Sequence, residues 1–237
     1  MSGVVVFPGG PASDWDTVME ELDREGYSVL HSLVDAADTQ ALGAAIHSDS
    51  APCARSLFGQ SASVIDSSRE EWPYSLPSTL MEHLLSLYPR LAAIADRWAA
   101  SIGGEVGHVK GGMPESDRVI IRTMVSSHGE GEHQPLHQFV GDGIFPLQLV
   151  ALLSDPGQDF TGGELVMTEQ RPRMQTRPIV VPLRQGDAAV IATSRRPHKG
   201  ANGYYQVNLR HAISSVRKGR RLGMEILFER PRSNGRG

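Results

Sequence analysis

Residues 186–229 read GDAAVIATSRRPHKGANGYYQVNLRHAISSVRKGRRLGMEILFE, and this stretch decides the fold. It contains short apolar or alternating runs, such as DAAVIAT, YQVNLRHAIS and MEILFE, which are typical of β-strands. Turn signals rich in glycine and basic residues, KGANG and RKGR, separate these runs. Many short strands at this spacing favour an all-β sandwich or barrel.

The same pattern extends upstream to residue 118, whereas the preceding part of the chain has helical patterns. The further strand runs are RVIIRTMV, FPLQLVALLS, GELVMTEQ and IVVPL. An amphipathic helix is predicted at 14–25 and a second helix at 35–47. Residues 77–102 are predicted to form one or two helices, with a break at Pro89 in the second case, and 50–75 is predicted to be mostly loop. The sequence therefore predicts one α+β domain, 1–237, in which a mainly helical support region, 1–117, packs on a β core, 118–230.

Composition indicates a soluble globular protein. Of the 237 residues, 40% are hydrophobic and 21% are charged. The longest apolar runs are far shorter than the roughly 20 residues that span a bilayer, and the N-terminus lacks the basic region of a signal peptide. The single cysteine, Cys53, allows neither an internal disulfide nor a cysteine-based metal cluster, and we expect no catalytic role for it. We expect a cytoplasmic protein that does not bind membranes.

Charge is distributed unevenly between the two halves. Residues 1–117 hold 6 Lys and Arg against 17 Asp and Glu, a net charge of −11, whereas 118–237 hold 17 against 10, a net charge of +7. This asymmetry indicates either that the second half handles anions or that it simply neutralises the first.

Two stretches resemble a known enzyme superfamily. These are PLHQFVGDGIFPLQLVALLS at 135–154, followed by FTGGELVMTEQRPRMQTR, and the stretch quoted first. The end of the second stretch has a spaced pattern made of His211, Ile213, Val216, Gly219 and Arg221. Together they resemble the iron(II)/2-oxoglutarate-dependent oxygenases, and the resemblance covers about the last 110 residues. It implies a double-stranded β-helix core, of the jelly-roll or cupin-like kind, buttressed by the N-terminal helices.

The resemblance also implies a cofactor site. His137 and His211 would be the two imidazole ligands of iron(II), and Arg221 would hold the distal carboxylate of 2-oxoglutarate with its forked guanidinium. Arg122, Thr123 and Gln148 would contribute to cofactor binding. Dioxygen would be the co-substrate.

The first metal motif departs from the family pattern. Relatives carry an aspartate two positions after the histidine, whereas this chain has Phe139, followed by Val140 and Gly141, at the expected catalytic positions. Halogenases of the superfamily carry Ala or Gly there, and the missing carboxylate leaves a coordination position for chloride. A second alternative is a hydroxylase or demethylase that uses Asp142 as its third ligand. The third alternative is a relative without enzymatic activity, such as a nucleotide-binding module. This alternative is disfavoured because such a relative would usually have lost His137, His211 or Arg221, and all three are present.

Basic residues beyond Arg221 indicate either a substrate that carries phosphate or solvated surface charge. The candidates lie in two loop-like stretches: Arg171, Arg173 and Arg177, then Arg195, Arg196, His198 and Lys199. Aromatic residues make up only 6% and do not interleave with basic ones, which favours a free nucleotide over a nucleic-acid polymer. The resemblance to nucleotide halogenases of antibiotic biosynthesis implies chlorination of an unactivated carbon, such as the 2′ carbon of 2′-deoxyadenosine 5′-monophosphate, with succinate and carbon dioxide as co-products.

Overall fold

The computed structural model describes residues 4–5, 13–48, 76–103, 105–106, 109–110, 119–141 and 143–229. The helices are α1 (Trp15–Glu25), α2 (Ala36–Ser48) and α3 (Ser78–Ser101). The strands are β1 (Val4–Val5), β2 (Ser13–Asp14), β3 (Tyr27–Leu30), β4 (Glu105–Val106), β5 (Val109–Lys110), β6 (Ile120–His128), β7 (Gln134–His137), β8 (Ile144–Leu152), β9 (Phe160–Gly162), β10 (Leu165–Gln170), β11 (Arg177–Val181), β12 (Ala188–Ala192), β13 (Arg195–Gly200), β14 (Gly203–Ile213), β15 (Val216–Gly219) and β16 (Arg221–Glu229). The predicted loop at 50–75, with Cys53, lies outside the described residues, as does Asp142.

Helix α1 begins and ends as its sequence predicts. The Asp14 carboxylate accepts a hydrogen bond from the Asp16 amide at 3.2 Å and so caps the N-terminus. Gly26 ends the helix with a φ of 85°, a left-handed conformation that glycine adopts without strain. Apolar side chains at helical spacing, including Val18 and Leu22, are buried against the core.

Helix α3 is one continuous helix of 24 residues that passes through Pro89. Tertiary packing holds it, because Tyr88 contacts the rings of Phe145 and Phe228 at centroid distances of 5.4 and 5.5 Å. These contacts seat α3 on β8 and β16. Among the described residues, no helix is both long and apolar enough to cross a membrane.

Two antiparallel sheets form the core. The major sheet has the order β3-β12-β8-β16-β6, and the minor sheet has the order β11-β10-β14-β13, with β7 paired to β14. Buried side chains from both sheets and from the helices belong to one hydrophobic cluster. The predicted α+β jelly-roll architecture is confirmed. One local prediction is wrong: residues 195–199 lie in strand β13, because they pair with β14, and do not form a loop.

Candidate functional site

Three strands bring the two predicted imidazoles and one unpredicted carboxylate together. His137 ends β7 and pairs directly with His211 on β14, and the centroids of their rings lie 4.0 Å apart. Glu225 lies in the middle of β16, on the major sheet that faces them. The ligand atoms of these three residues all lie within 4.8 Å of one another, and each residue is at most 5% exposed.

The carboxylate of Glu225 faces both imidazoles. Its Oε2 atom lies 3.5 Å from Nε2 of His137 and 3.5 Å from Nε2 of His211. The backbone carbonyl of Pro135 lies 3.0 Å from Nδ1 of His137 and fixes the proton on that nitrogen, so Nε2 carries the lone pair. Two imidazole nitrogens and one carboxylate oxygen are the donor set that non-haem iron(II) prefers.

Electrostatic effects in the cluster follow from burial and from close opposite charge. Burial would raise the pKa of Glu225, but the neighbouring His211 and His137 outweigh it and hold that pKa well below its ordinary value. Burial opposes protonation of His137, yet hydrogen bonding to Glu225 raises its pKa. Burial and the neighbouring His137 lower the pKa of His211. Glu225 is therefore ionised, as a metal ligand must be.

Two buried glutamines contact the cluster from opposite sides. The Gln134 side-chain amide donates a hydrogen bond to Oε1 of Glu225 at 2.7 Å, and the same nitrogen lies 3.1 Å from Nε2 of His137. The Gln148 amide nitrogen lies 3.5 Å from Nδ1 of His211. Both glutamines thus contact side chains of the cluster. Gln148 was predicted from the sequence to contribute to cofactor binding, whereas Gln134 was not predicted.

Arg221 is fully buried at the start of β16 and lines a cavity of about 390 Å³. Burial lowers the pKa of Arg221 to about 10, which still leaves the guanidinium charged at neutral pH. Glycine at 223 makes room for this side chain, because a Cβ there would lie 2.5 Å from Nη1 of Arg221. The Nε atom of Arg221 has no hydrogen-bond partner among the described residues.

These features fit the cofactors that the donor set implies. A buried cation with an unsatisfied N–H in a cavity is a site for a carboxylate. Glu225 is the fourth residue after Arg221 on β16, which is roughly 13 Å along the strand. The Nε2 atom of His211, which has no hydrogen-bond partner among the described residues, would be completed by a metal ion. The described residues therefore fit iron(II) and 2-oxoglutarate.

The other predicted cofactor residues do not converge with Arg221. Arg122 and Gln148 both lie opposite Leu227, six residues along β16 from Arg221, which is about 20 Å of strand. Arg122 donates instead to Glu229 at 2.9 Å. Thr123 alternates with Arg122 along β6 and so lies on the other face of the sheet.

Phe139 is buried against the predicted iron ligands. Its ring stands at 89° to the His137 ring, with centroids 5.4 Å apart, and its centroid lies 6.0 Å from that of His211. Its backbone N–H donates to the carbonyl of Thr193 at 3.0 Å, which anchors the segment after β7. Val140 and Gly141 follow it at half-buried positions. Phe139 therefore places an apolar ring beside the two histidines of the candidate metal site.

The predicted substrate residues divide between the two faces of the minor sheet. Arg196 pairs with Val207 on the face that carries His211, whereas Arg195 and Lys199 pair with Asn208 and Tyr204 on the opposite face. Arg173 is exposed in the turn after β10, and Arg177 forms an exposed ion pair with Glu25 at 3.1 Å. The seven basic residues thus do not form one phosphate site.

The inward-facing basic residues surround one buried carboxylate. Glu169 accepts hydrogen bonds from Arg196 and from Nε of Arg171, the latter at 2.7 Å. Arg196 has no exposed surface and also donates to the Asp23 carbonyl at 2.9 Å, so it joins the barrel to the end of α1. Arg171 keeps 25% of its side chain exposed and remains accessible to a ligand.

Neither Glu225 nor Gln134 was predicted as a site residue from the sequence, although one sequence feature points to Glu225. It is the one charged residue within the apolar run LGMEILF, and a carboxylate inside a buried strand needs a partner or a metal. No such feature points to Gln134, because residues three apart on a regular strand face opposite sides.

Comparison with known proteins extends these observations. An uncharacterized protein found in two strains of Mycobacterium tuberculosis is 35% identical over 155 residues, which cover 60% of this chain and 64% of that protein. A prolyl-4-hydroxylase from Pseudomonas putida has the same fold, with a TM-score of 0.53, 16% identity and coverage of 94% of this chain and 98% of the hydroxylase chain.

A family of nucleic-acid oxygenases matches most of the chain. The family is described as "Oxygenase, catalysing oxidative methylation of damaged DNA", and it matches residues 70–230. That region includes the two histidines, Glu225 and Arg221. The chain therefore belongs to this family of oxygenases.

Proposed function

We propose that this protein oxidises a carbon–hydrogen bond of a damaged base in DNA, and that Glu225 is the third protein ligand of its iron. The observation that carries the proposal is the position of Oε2 of Glu225, 3.5 Å from Nε2 of both His137 and His211. In this proposal Glu225, from the facing sheet, replaces the aspartate that relatives carry two positions after the histidine. The DNA substrate is supported by the family to which the chain belongs.

Each residue of the site has a distinct role in this proposal. His137, His211 and Glu225 would hold iron(II), and Arg221 would bind the distal carboxylate of 2-oxoglutarate. Bound iron(II), with 2-oxoglutarate and dioxygen, supplies the oxidation and yields succinate and carbon dioxide. Phe139 keeps water away from the imidazoles, which protects the site from unproductive chemistry.

The partly exposed Arg171 is the basis for placing a substrate phosphate. Glu169 lies opposite Leu209 and Met167 lies opposite His211, so the Arg171–Glu169 pair is about 7 Å along the strands from the metal ligands. Half-buried His198 and Tyr205 lie beside it, with ring centroids 5.3 Å apart. A phosphate bound by Arg171 would place an adjoining base or sugar near the metal.

Chlorination of a free nucleotide is the second candidate, and Phe139 is the observation that favours it. An apolar residue stands where the family pattern has its carboxylate, and Phe139 packs against both imidazoles without donating a ligand. Chloride would then complete the metal shell if Glu225 moved away from it. In the structure, however, the Glu225 carboxylate faces both imidazoles, where chloride would have to bind. This position favours oxygenation over chlorination.

Product mass distinguishes the two candidates. The protein is incubated with iron(II), 2-oxoglutarate and dioxygen, with either a DNA oligonucleotide carrying a methylated base or 2′-deoxyadenosine 5′-monophosphate, in chloride, bromide or halide-free buffer. We expect oxidation of the oligonucleotide, coupled to succinate formation and indifferent to halide. Glu225→Gln is the inactive control. A product carrying chlorine or bromine would overturn the proposal and favour the second candidate. Oxidation of the mononucleotide alone would overturn the DNA substrate.

A further inference from the structure

Gln134 reaches the three candidate metal ligands, His137, His211 and Glu225, because of an irregularity in β7. His211 pairs with His137 and Ile213 pairs with Gln134, so two residue steps on β14 match three on β7. A bulge of this kind re-aims a side chain, and it puts both Gln134 and His137 on the buried side while Pro135 and Leu136 are exposed. A regular strand would point Gln134 away from the cluster.

The Gln134 amide occupies one oxygen of Glu225 and leaves the other to the imidazoles. Its nitrogen lies 2.7 Å from Oε1, whereas Oε2 is the oxygen 3.5 Å from both Nε2 atoms. The amide orientation follows from this contact, since an amide oxygen at that distance would repel the ionised carboxylate. Gln134 is itself 3% exposed, so no water replaces it readily.

We propose that Gln134 is a positioning residue that makes Glu225 bind iron through one oxygen only. This inference rests on the proposed role of Glu225 as the third ligand. A carboxylate that binds through both oxygens takes an additional coordination position. A bound iron would need that position for 2-oxoglutarate and dioxygen. Gln134 therefore keeps the position for dioxygen open.

Gln134→Met tests the proposal, because methionine keeps the length and burial of the side chain but donates no hydrogen bond. The probe is Mn(II) alone: the signal of unbound Mn(II) in electron paramagnetic resonance gives its affinity, and water-proton relaxation gives the number of bound waters. We expect Mn(II) affinity equal to or above that of the wild type, because the amide no longer competes for Nε2 of His137. We also expect one fewer bound water. In turnover, the KM for dioxygen rises by about 10–100-fold.

The outcomes separate this inference from the proposed function. Retained Mn(II) affinity with an unchanged water number would show that Gln134 does not control how Glu225 binds. A loss of Mn(II) affinity would show that Gln134 builds the site, which also overturns the inference. Leu136→Ala, at the exposed position of the same bulge, is the matched control and should change neither quantity. If Glu225→Gln leaves Mn(II) affinity unchanged, the proposed function itself fails.

Discussion

Oε2 of Glu225 and Nε2 of His211 lie 3.5 Å apart although the two residues come from facing sheets. The pair therefore joins the major and minor sheets at the centre of the barrel. A buried carboxylate between two imidazoles is costly unless it is compensated, and a divalent cation compensates it better than the imidazoles alone.

Glu225→Gln removes the negative charge and keeps the shape of the side chain. We expect Mn(II) or Fe(II) affinity to fall by more than about 100-fold, because the metal loses its only charged protein ligand in the proposed set. Equilibrium dialysis measures this loss. Glu229→Gln, on the same strand but paired with Arg122, is the control and should bind metal as the wild type does. Equal affinities in the two variants would exclude Glu225 as a ligand.

Arg221→Ala should weaken 2-oxoglutarate binding to the metal-loaded protein. A charge-assisted carboxylate pair contributes about 2–4 kcal/mol, so the Kd should rise by roughly 30–1,000-fold. Arg221→Lys should recover part of the affinity, since lysine keeps the charge but lacks the fork. Calorimetric titration gives both values. Arg220→Ala removes an exposed neighbour that donates to Ser127 at 3.0 Å, and it should have no effect.

The motif residues of the site could be predicted because their neighbours in sequence identify them. His137, His211 and Arg221 lie in recognisable stretches, and the structure brings the two histidines together with Glu225. Strand runs separated by turns likewise predicted the β core. The predicted boundaries agree to within one residue for all three helices, because the signals that begin and end a helix are local in sequence.

Residues that depend on contacts between sheets could not be predicted in the same way. Glu225 meets the histidines only after β16 pairs between β8 and β6, a register that no local pattern encodes. Gln134 depends on the bulge in β7. Arg195 and Arg196 are adjacent in sequence, but strand alternation sends one to solvent and buries the other.

Phe139→Ala should destabilise the fold without removing the metal site. Loss of a buried phenylalanine costs about 3–5 kcal/mol through lost burial and the cavity that remains. The metal ligands keep their own anchors, so Mn(II) affinity should change little. Urea denaturation measures the free energy of unfolding, with the exposed Leu136→Ala as control. Metal loss at temperatures where the variant is fully folded would contradict the assignment of Phe139 as an apolar ring beside the ligands.

Glu169→Gln should destabilise the protein because it leaves the buried Arg196 without its counter-charge, a change that costs about 3–5 kcal/mol. Burial would raise the pKa of Glu169, but Arg171 and Arg196 outweigh it and lower that pKa below 4.5. The stabilisation is therefore complete above pH 4.5 and is lost as the pH falls through the lower folded value. The difference in unfolding free energy between wild type and variant should accordingly shrink in acid.

The exposed pair between Arg177 and Glu25 is the control for this change. Glu25→Gln should alter the unfolding free energy by at most about 1 kcal/mol, because solvent screens the pair. A pH-independent difference for Glu169→Gln would show that its carboxylate is not the stabilising group.

Arg171→Ala tests where the substrate phosphate binds. Arg171 is partly exposed and donates to Glu169, which lies on the same face of the minor sheet as His211, whereas Arg195 lies on the opposite face. A charge-assisted hydrogen bond to phosphate contributes about 1.5–3 kcal/mol, so the KM for a phosphate-bearing substrate should rise by roughly 10–100-fold. The KM for the matching nucleoside should not change, because it lacks the group that Arg171 binds. Arg195→Ala should leave both values unchanged.

If Arg195→Ala and Arg171→Ala raise the KM for the phosphate-bearing substrate equally, the phosphate is attracted by overall charge and Arg171 is not its binding residue. Arg171→Ala also removes a hydrogen bond to Glu169, which could lower the stability of the protein. The melting temperature of each variant is therefore measured, so that a rise in KM is distinguished from a loss of stability.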